Sequence, residues 1–284
     1  MTLPVLIGIG LVLNAAAALV VLWRGSLDPG GAAAGVIVGT LIFVCGGPLF
    51  WFVLMAFFVS STALGYMGRN KKEPLKKIHQ KRGRRDMFQV LANGGVGALC
   101  ALFYKLTGNP AWAIGFAVSF ASSNSDTWAS ELGVLSRRQP VSLLTFRPVL
   151  RGVSGGVSIL GTAMALAGAL FIALVFALEN FSLGVVPNGF LRITVFVAAG
   201  GFVGSLLDSF LGATIQAQYE VRVGGQESEQ APMMAPALTE LRADACGRPN
   251  RLARGLSFVN NDLVNFASCA LATLLGVLLA PLVL

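Results

Sequence analysis

Histidine is almost missing from this 284-residue chain: there is one, His79. That excludes metal sites built from several imidazoles and argues against a serine–histidine triad. Cysteine is scarce too. Cys45, Cys100, Cys246 and Cys269 show no metal-site spacing, and three of them lie in apolar runs, where cysteine is ordinarily a small core residue, so no disulfide framework is expected. Charge is the third shortage. Only 12% of residues are Asp, Glu, Lys or Arg, against about 25% in a soluble domain. No segment stands out as a separate soluble domain. The apolar runs show no barrel-like alternation, which excludes a transmembrane barrel. No nucleic-acid fold accompanies the positive charge, so RNA or DNA is not an expected partner.

What remains is apolar: 55% of the chain is hydrophobic. The runs fall at about 3–23, 31–46, 49–67, 88–106, 110–129, 153–178, 190–215 and 259–284, and most approach the roughly 20 residues of a spanning helix. The expectation is an all-α, polytopic helical membrane bundle of about seven to eight spans, some short or broken, forming one membrane domain over 1–284. Residues 1–23 have no basic start and exceed a signal core, which points to a retained first helix. Gly46-Gly47-Pro48, Gly108-Asn109-Pro110 and Pro187-Asn188-Gly189 mark turns between helices.

The net charge of +8 is concentrated. Segment 69–86, in the 68–87 loop, holds nine cations and two acids; the 132–151 loop adds Arg137, Arg138, Arg147 and Arg151. By the positive-inside rule both are cytoplasmic, which puts the termini on the other side and suits a cell (inner) membrane. Such a basic loop also contacts anionic lipid. The third polar loop, 217–256, is near neutral, with Gly224-Gly225, Pro232 and Pro236. It reads as a linker, or as a lid over a cytoplasmic site.

Polar residues interrupt the apolar pattern at a few places. Ala121-Ser122-Ser123-Asn124-Ser125-Asp126-Thr127-Trp128-Ala129-Ser130-Glu131-Leu132-Gly133 carries two acids. On a helix they stand about 140° apart, so no single face hides both from lipid. Either the helix breaks or polar neighbours surround it. Ser205, Asp208, Ser209, Gly212 and Gln216 share helical spacing near the end of another run. Asn260-Asn261-Asp262, Asn265 and Ser268 open the last run, and Gln89 and Asn93 lie one turn apart in the fourth. Small and polar residues also pack membrane helices, which accounts for Asn93, Asn265 and Ser205 about as well as chemistry does. Buried carboxylates are harder to explain by packing alone, so Asp126 and Asp208 lead, with Glu131 and Asp262 behind them. Asp262 also fits as an acid favoured by a helix N-terminus.

Carboxylates with Asn and Ser oxygens, and no imidazole, suit a hard cation such as Mg²⁺, held by Asp126, Glu131, Asp208 and Asp262. Arg151-Gly152-Val153-Ser154-Gly155-Gly156-Val157-Ser158 reads as a glycine-rich helix start. Its N–H groups, with Arg147 and Arg151, suit phosphate, although the Gly-Lys-Ser/Thr ending of a Walker A motif is missing.

Together these stretches resemble the transmembrane protein 19 family of integral membrane proteins, whose plant members include the chloroplast phytyl-phosphate kinase. The matching strings are Gln89-Val90-Leu91-Ala92-Asn93-Gly94, Ser125-Asp126-Thr127-Trp128-Ala129-Ser130-Glu131-Leu132-Gly133, the glycine run 152–158, Asp208-Ser209-Phe210-Leu211-Gly212-Ala213-Thr214-Ile215-Gln216 and Asn260-Asn261-Asp262-Leu263-Val264-Asn265. They follow the family's order over roughly 85–270. The run departs at Val153 and Ser154, where the family commonly has Thr and Asn. The resemblance implies a kinase that converts an isoprenyl monophosphate to the diphosphate with a nucleoside triphosphate, CTP among the candidates. Asp126, Asp208, Asn93 and Glu131 are the catalytic candidates. Arg147, Arg151, Ser154, Gly155, Gly156, Ser158, Asn261, Asn265 and Gln89 are the candidates for binding substrate or nucleotide. The competing expectation is an ion- or proton-coupled transporter, whose acids would sit at the bilayer midplane.

Sidedness is open to direct test in intact cells. With the native cysteines removed, an impermeant thiol reagent applied outside should miss Lys77→Cys and label Gly184→Cys. The reverse pattern would overturn the orientation.

Overall fold

The computed structural model describes residues 1–67, 84–182, 189–220, 238–243 and 247–284. Most of the basic loop, including His79, and part of the 217–256 loop lie outside these residues, as does position 184. Among the described residues seven α-helices carry the fold: α1 Leu3–Trp23, α2 Pro29–Tyr66, α3 Met87–Thr107, α4 Ala111–Gly133, α5 Ile159–Ser182, α6 Phe190–Thr214 and α7 Asn261–Leu279. A 3₁₀ turn, Ala280–Leu282, follows. Among the described residues, six helices are long and apolar enough to cross a membrane. α4 is the exception.

Helix α2 is two antiparallel segments. Gly47 has φ 71° and ψ −168°, which breaks the helix, and Pro48 restarts it without needing an N–H donor. The Ser26 hydroxyl, before the start of α2, lies 2.9 Å from the Tyr66 hydroxyl at its end. A straight helix of 38 residues would hold those ends ~57 Å apart. The Gly46-Gly47-Pro48 turn is therefore a hairpin, and the bundle has eight membrane-length segments, in agreement with the sequence.

Helix α4 is central. It packs against α2, α3, α5, α6 and α7, and every residue from Ile114 to Ser125 is buried. This resolves the problem of its two acids: the helix is unbroken, and other helices surround it. Gly201 and Gly204 of α6 face Ala121 and Ser122 so closely that a Cβ at either would collide with them. Small residues thus let the backbones approach, as they do in membrane bundles. Three polar residues of α4 are satisfied across these contacts. Asn124 donates to the Gly168 carbonyl at 2.8 Å and accepts from Ser60 and Ser61 at 3.1 and 3.3 Å. Ser125 donates to the Ala165 carbonyl at 2.8 Å, and Ser123 to that of Asn93 at 2.9 Å. A polar group left unpaired at this depth would cost several kcal/mol, about as much as an unpaired backbone group in lipid.

The polar connections gather at one end of the bundle. Asp28 and Asp86 cap α2 and α3 there, Asp86 in a capping box with Gln89, and Leu27 bridges Arg85. Among the described residues five short strands, confined to loops, finish that end. β1 Val141–Ser142 pairs antiparallel with β2 Gly156–Val157. β3 Gln218–Glu220 lies between β4 Leu238–Thr239 and β5 Arg251–Arg254. The described part of the 217–256 loop is thus an ordered three-stranded sheet.

The hairpin in α2 has a simple check. Ser26→Cys and Tyr66→Cys, introduced together without the native cysteines, should be joined within one chain by a short bifunctional thiol reagent. Failure to cross-link would restore a continuous α2.

Candidate functional site

A cavity of about 690 Å³ opens at the loop-rich end of the bundle. Its inner wall holds the two leading acids. Asp126 lies seven residues before the end of α4 and Asp208 six before the end of α6, which sets them ~9–11 Å inside their helix ends. The two carboxyl groups lie against each other within hydrogen-bonding reach. The Ser268 hydroxyl donates to Asp208 Oδ2 at 3.0 Å, and the Asn265 amide, turned so that its nitrogen faces inward, donates to the same oxygen at 3.0 Å. Both come from one face of α7. Two carboxylates in contact repel each other unless a proton or a cation lies between them.

The other acids stand apart from this pair. Glu131 follows on α4 beside Arg85, whose guanidinium is pushed below its ordinary value by burial, with the Glu131 charge opposing that shift. Asp262 is 8% exposed in the first turn of α7, where the dipole favours an acid. Both line the cavity. Among the described residues, no three His, Cys, Asp or Glu side chains converge to hold a metal. The expected four-carboxylate set is therefore not one cluster. The geometry brings together one touching pair, with Asn and Ser oxygens beside it.

Asn93, Gln89, Asn261 and Asn265 line the same cavity. The Asn93 amide donates to the Gln89 carbonyl at 2.9 Å, while the Gln89 side chain accepts from the Asp86 N–H at 3.3 Å. The glycine run lines the cavity as well, but not as a helix start. Gly152 and Gly155 have φ of 84° and 80°, which an α-helix does not tolerate, so 152–157 turns into β2 and α5 begins only at Ile159. Ser158 accepts the Gly161 N–H at 3.0 Å in the manner of an N-cap, and the Gly156 N–H goes to the Val153 carbonyl at 3.1 Å. Arg151 reaches the cavity and donates to the Arg137 carbonyl at 3.1 Å. Arg147 is not among the residues that line it: it is exposed on the turn after β1.

Three contributors were missed from sequence. Arg85 was read only as one cation of a basic loop. Glu240 accepts from Ser154 at 3.1 Å and from Gln216 at 2.9 Å, and so ties the sheet to the glycine run. Arg254 donates to the Ser154 carbonyl at 2.7 Å, and burial lowers its proton affinity. Glu240 and Arg254 sit among many charged residues of one long loop, where spacing gives no sign of which ones turn inward.

Comparison with known proteins agrees with this frame. The sequence profile of the family described as Integral membrane protein DUF92 matches residues 12–273. The chain is 32% identical to Protein PGR of Arabidopsis thaliana over 273 residues, covering 89% of this chain and 88% of that one. It is 32% identical over 191 residues to an uncharacterized membrane protein of Methanocaldococcus jannaschii, covering 67% of this chain and 75% of that one. It is 24% identical over 263 residues to the chloroplastic Protein VTE6 of Arabidopsis thaliana, covering 91% of this chain and 66% of that one. No solved structure matches.

The touching carboxyls make a stability prediction. Asp126→Asn or Asp208→Asn removes one charge with little change of shape, so each variant should melt at or above the wild-type temperature in EDTA-treated detergent. Adding Mg²⁺ should raise the wild-type melting temperature more than that of either variant. A fall of several degrees in both variants without metal would mean that the pair is a structural link.

Proposed function

The chain belongs to the DUF92 family of integral membrane proteins, and we propose that it is a kinase transferring a phosphoryl group from a nucleoside triphosphate to an isoprenyl monophosphate such as phytyl phosphate. The observation that carries this reading is the Asp126–Asp208 pair on the wall of a cavity at the loop-rich end of a membrane bundle. A coupled transporter favours ionisable groups near the midplane. Here the pair lies about a quarter to a third of the way along its helices from the loop-rich end, and the cavity also takes in residues of the loops there.

The residues suit the reaction. An oxygen of the acceptor monophosphate attacks the γ-phosphorus, the bond to the β–γ bridging oxygen breaks, and the nucleoside diphosphate leaves with that electron pair. A phosphate monoester is largely deprotonated near neutral pH, so no strong base is needed, in keeping with the near absence of histidine. Phosphoryl transfer rests on positioning and charge neutralisation. The donor set fits Mg²⁺, which commonly takes one or two carboxylates and completes its shell with water and substrate phosphates. When bound, it would neutralise phosphate charge, with Asp126 and Asp208 holding it. Ser268 and Asn265 fix the orientation of Asp208. Arg85 and Arg151 supply positive charge to the same cavity, and Arg151, as a planar fork, suits a phosphate better than a lysine would. Asn93 and Asn261 are left to meet substrate oxygens.

The deciding assay incubates purified protein with isoprenyl monophosphates, γ-labelled nucleotides and Mg²⁺, and looks for labelled diphosphate. We expect product from the wild type, and a loss of at least about a hundredfold in Asp126→Asn and Asp208→Asn. Arg151→Lys should weaken apparent affinity for a phosphate substrate without changing membrane insertion. Undiminished turnover of both Asn variants, or of the wild type in excess EDTA, would reject the mechanism.

A further inference from the structure

The cavity that holds the carboxylate pair does not stop at the polar groups. It continues into the membrane region between α1 and the two arms of α2, where Ala17, Ala18, Val21, Leu54, Met55 and Phe58 line it. Helix α1 packs chiefly on α2 and is the least buried of the spanning helices. It is fastened at two levels. Near its middle, Gly10 packs on Thr40 and Phe43, and Asn14 meets Gly39 and accepts from Trp51 Nε1 at 3.2 Å. Beyond its end, Ser26 meets Tyr66, and Arg84 packs on Gly25. Between these fastenings small side chains on α1 leave a gap, and the cavity fills it.

We infer that this apolar arm binds the hydrocarbon chain of the lipid substrate, with access from the bilayer beside α1, and that the half-buried Asn14–Trp51 contact is its floor. The inference rests on the reading of the polar end as a phosphate site. Continuity carries it: one void joins an apolar channel in the membrane to Arg85, Arg151 and the carboxylate pair. A single-chain amphiphile with an anionic head matches that order of surfaces. From Arg24 to Asn14 the arm is ~15 Å deep, about half the ~30 Å hydrocarbon core of a bilayer. A second apolar groove, of about 520 Å³, lies between α2, α3 and α7 around Leu91, Leu99 and Phe266. It meets the site only at Val38, Asn260 and Asp262, away from the arginines. The arm is the better fit because its polar end already holds cations.

The test uses the full chain in nanodiscs and a photoreactive isoprenyl monophosphate of four isoprene units, with the reactive group near the tail end. Label mapped by mass spectrometry should fall in 14–21 and 54–62. Excess unlabelled isoprenyl monophosphate should compete it away, whereas excess phosphatidic acid, a two-chain phosphate, should not. As a second arm, Ala18→Trp and Leu54→Trp narrow the channel. Each should weaken binding of the four-unit probe by roughly tenfold or more while binding of a two-unit monophosphate changes little, because only the longer tail reaches the filled region. Label in 88–99 and 263–266, competition by phosphatidic acid, or an equal effect of the tryptophans on both lengths would overturn the tail site and leave the kinase reading standing. If the wild type bound neither monophosphate, the phosphate reading of the polar end would fall, and this inference with it.

Discussion

A carboxyl pair at membrane depth constrains everything around it. Asp126 and Asp208 need a medium that is neither lipid nor bulk water, and the fold supplies one by enclosing α4 on nearly all sides. That enclosure demands close backbone approach, and so small residues on the neighbours, as at Gly201 and Gly204. It also demands partners across the contact for Ser123, Asn124 and Ser125 of α4, which Asn93, Gly168, Ser60 and Ala165 provide. The packing and the site are therefore one arrangement. α4 is too polar to stand in lipid alone, and the helices that shield it are those that bring Asp208 and Asn265 to Asp126.

The bundle is unequal along its axis. At the end carrying Thr107 and Ala111, α3 turns into α4 through Gly108, in the left-handed conformation, and Asn109, which accepts the Ala111 N–H at 2.9 Å. Such turns need only short chain. At the other end, long connections fold into two small sheets and a bridge between Leu27 and Arg85. Glu240 and Arg254 each reach from the three-stranded sheet to the glycine run, so the strands and that run behave as one roof. A polar roof thus stands over an intramembrane wall.

Much of this was legible in the chain, for definite reasons. Span length and number follow from the thickness of the bilayer, and the Gly46-Gly47-Pro48 turn follows from the conformations open to Gly and Pro. The acids of 121–133 and 204–216 stood out because their burial is costly, and the geometry does bring Asp126 and Asp208 together. Other features had no local signature. The glycine run looked like a helix start because glycine and serine also occur there. Its positive φ values at Gly152 and Gly155 depend on a pairing with Val141 and Ser142 that no sequence window contains. Arg147 and Arg151 looked equivalent by charge and spacing, yet the turn after β1 holds Arg147 in solvent. The partners of Glu240 lie 86 and 24 residues away, beyond the reach of any periodicity.

The polar residues of α4 divide into two kinds, and the division bears on how the site was built. Ser123, Asn124 and Ser125 spend their hydrogen bonds on backbone carbonyls and hydroxyls of neighbouring helices, so they act as packing groups. Asp126, one residue further on, faces another acid. A sequence under pressure only for packing would not place two like charges in contact, since an amide at either position would satisfy the same hydrogen bonds without repulsion. The change from satisfied amide and hydroxyls to a repelling pair occurs within one helical turn, at the depth where the cavity opens. Below that level the polar side chains of α4 are spent on packing, and at it two acids meet on the cavity wall. The touching Asp126–Asp208 pair is thus what separates this wall from the packed stretch of α4 below it.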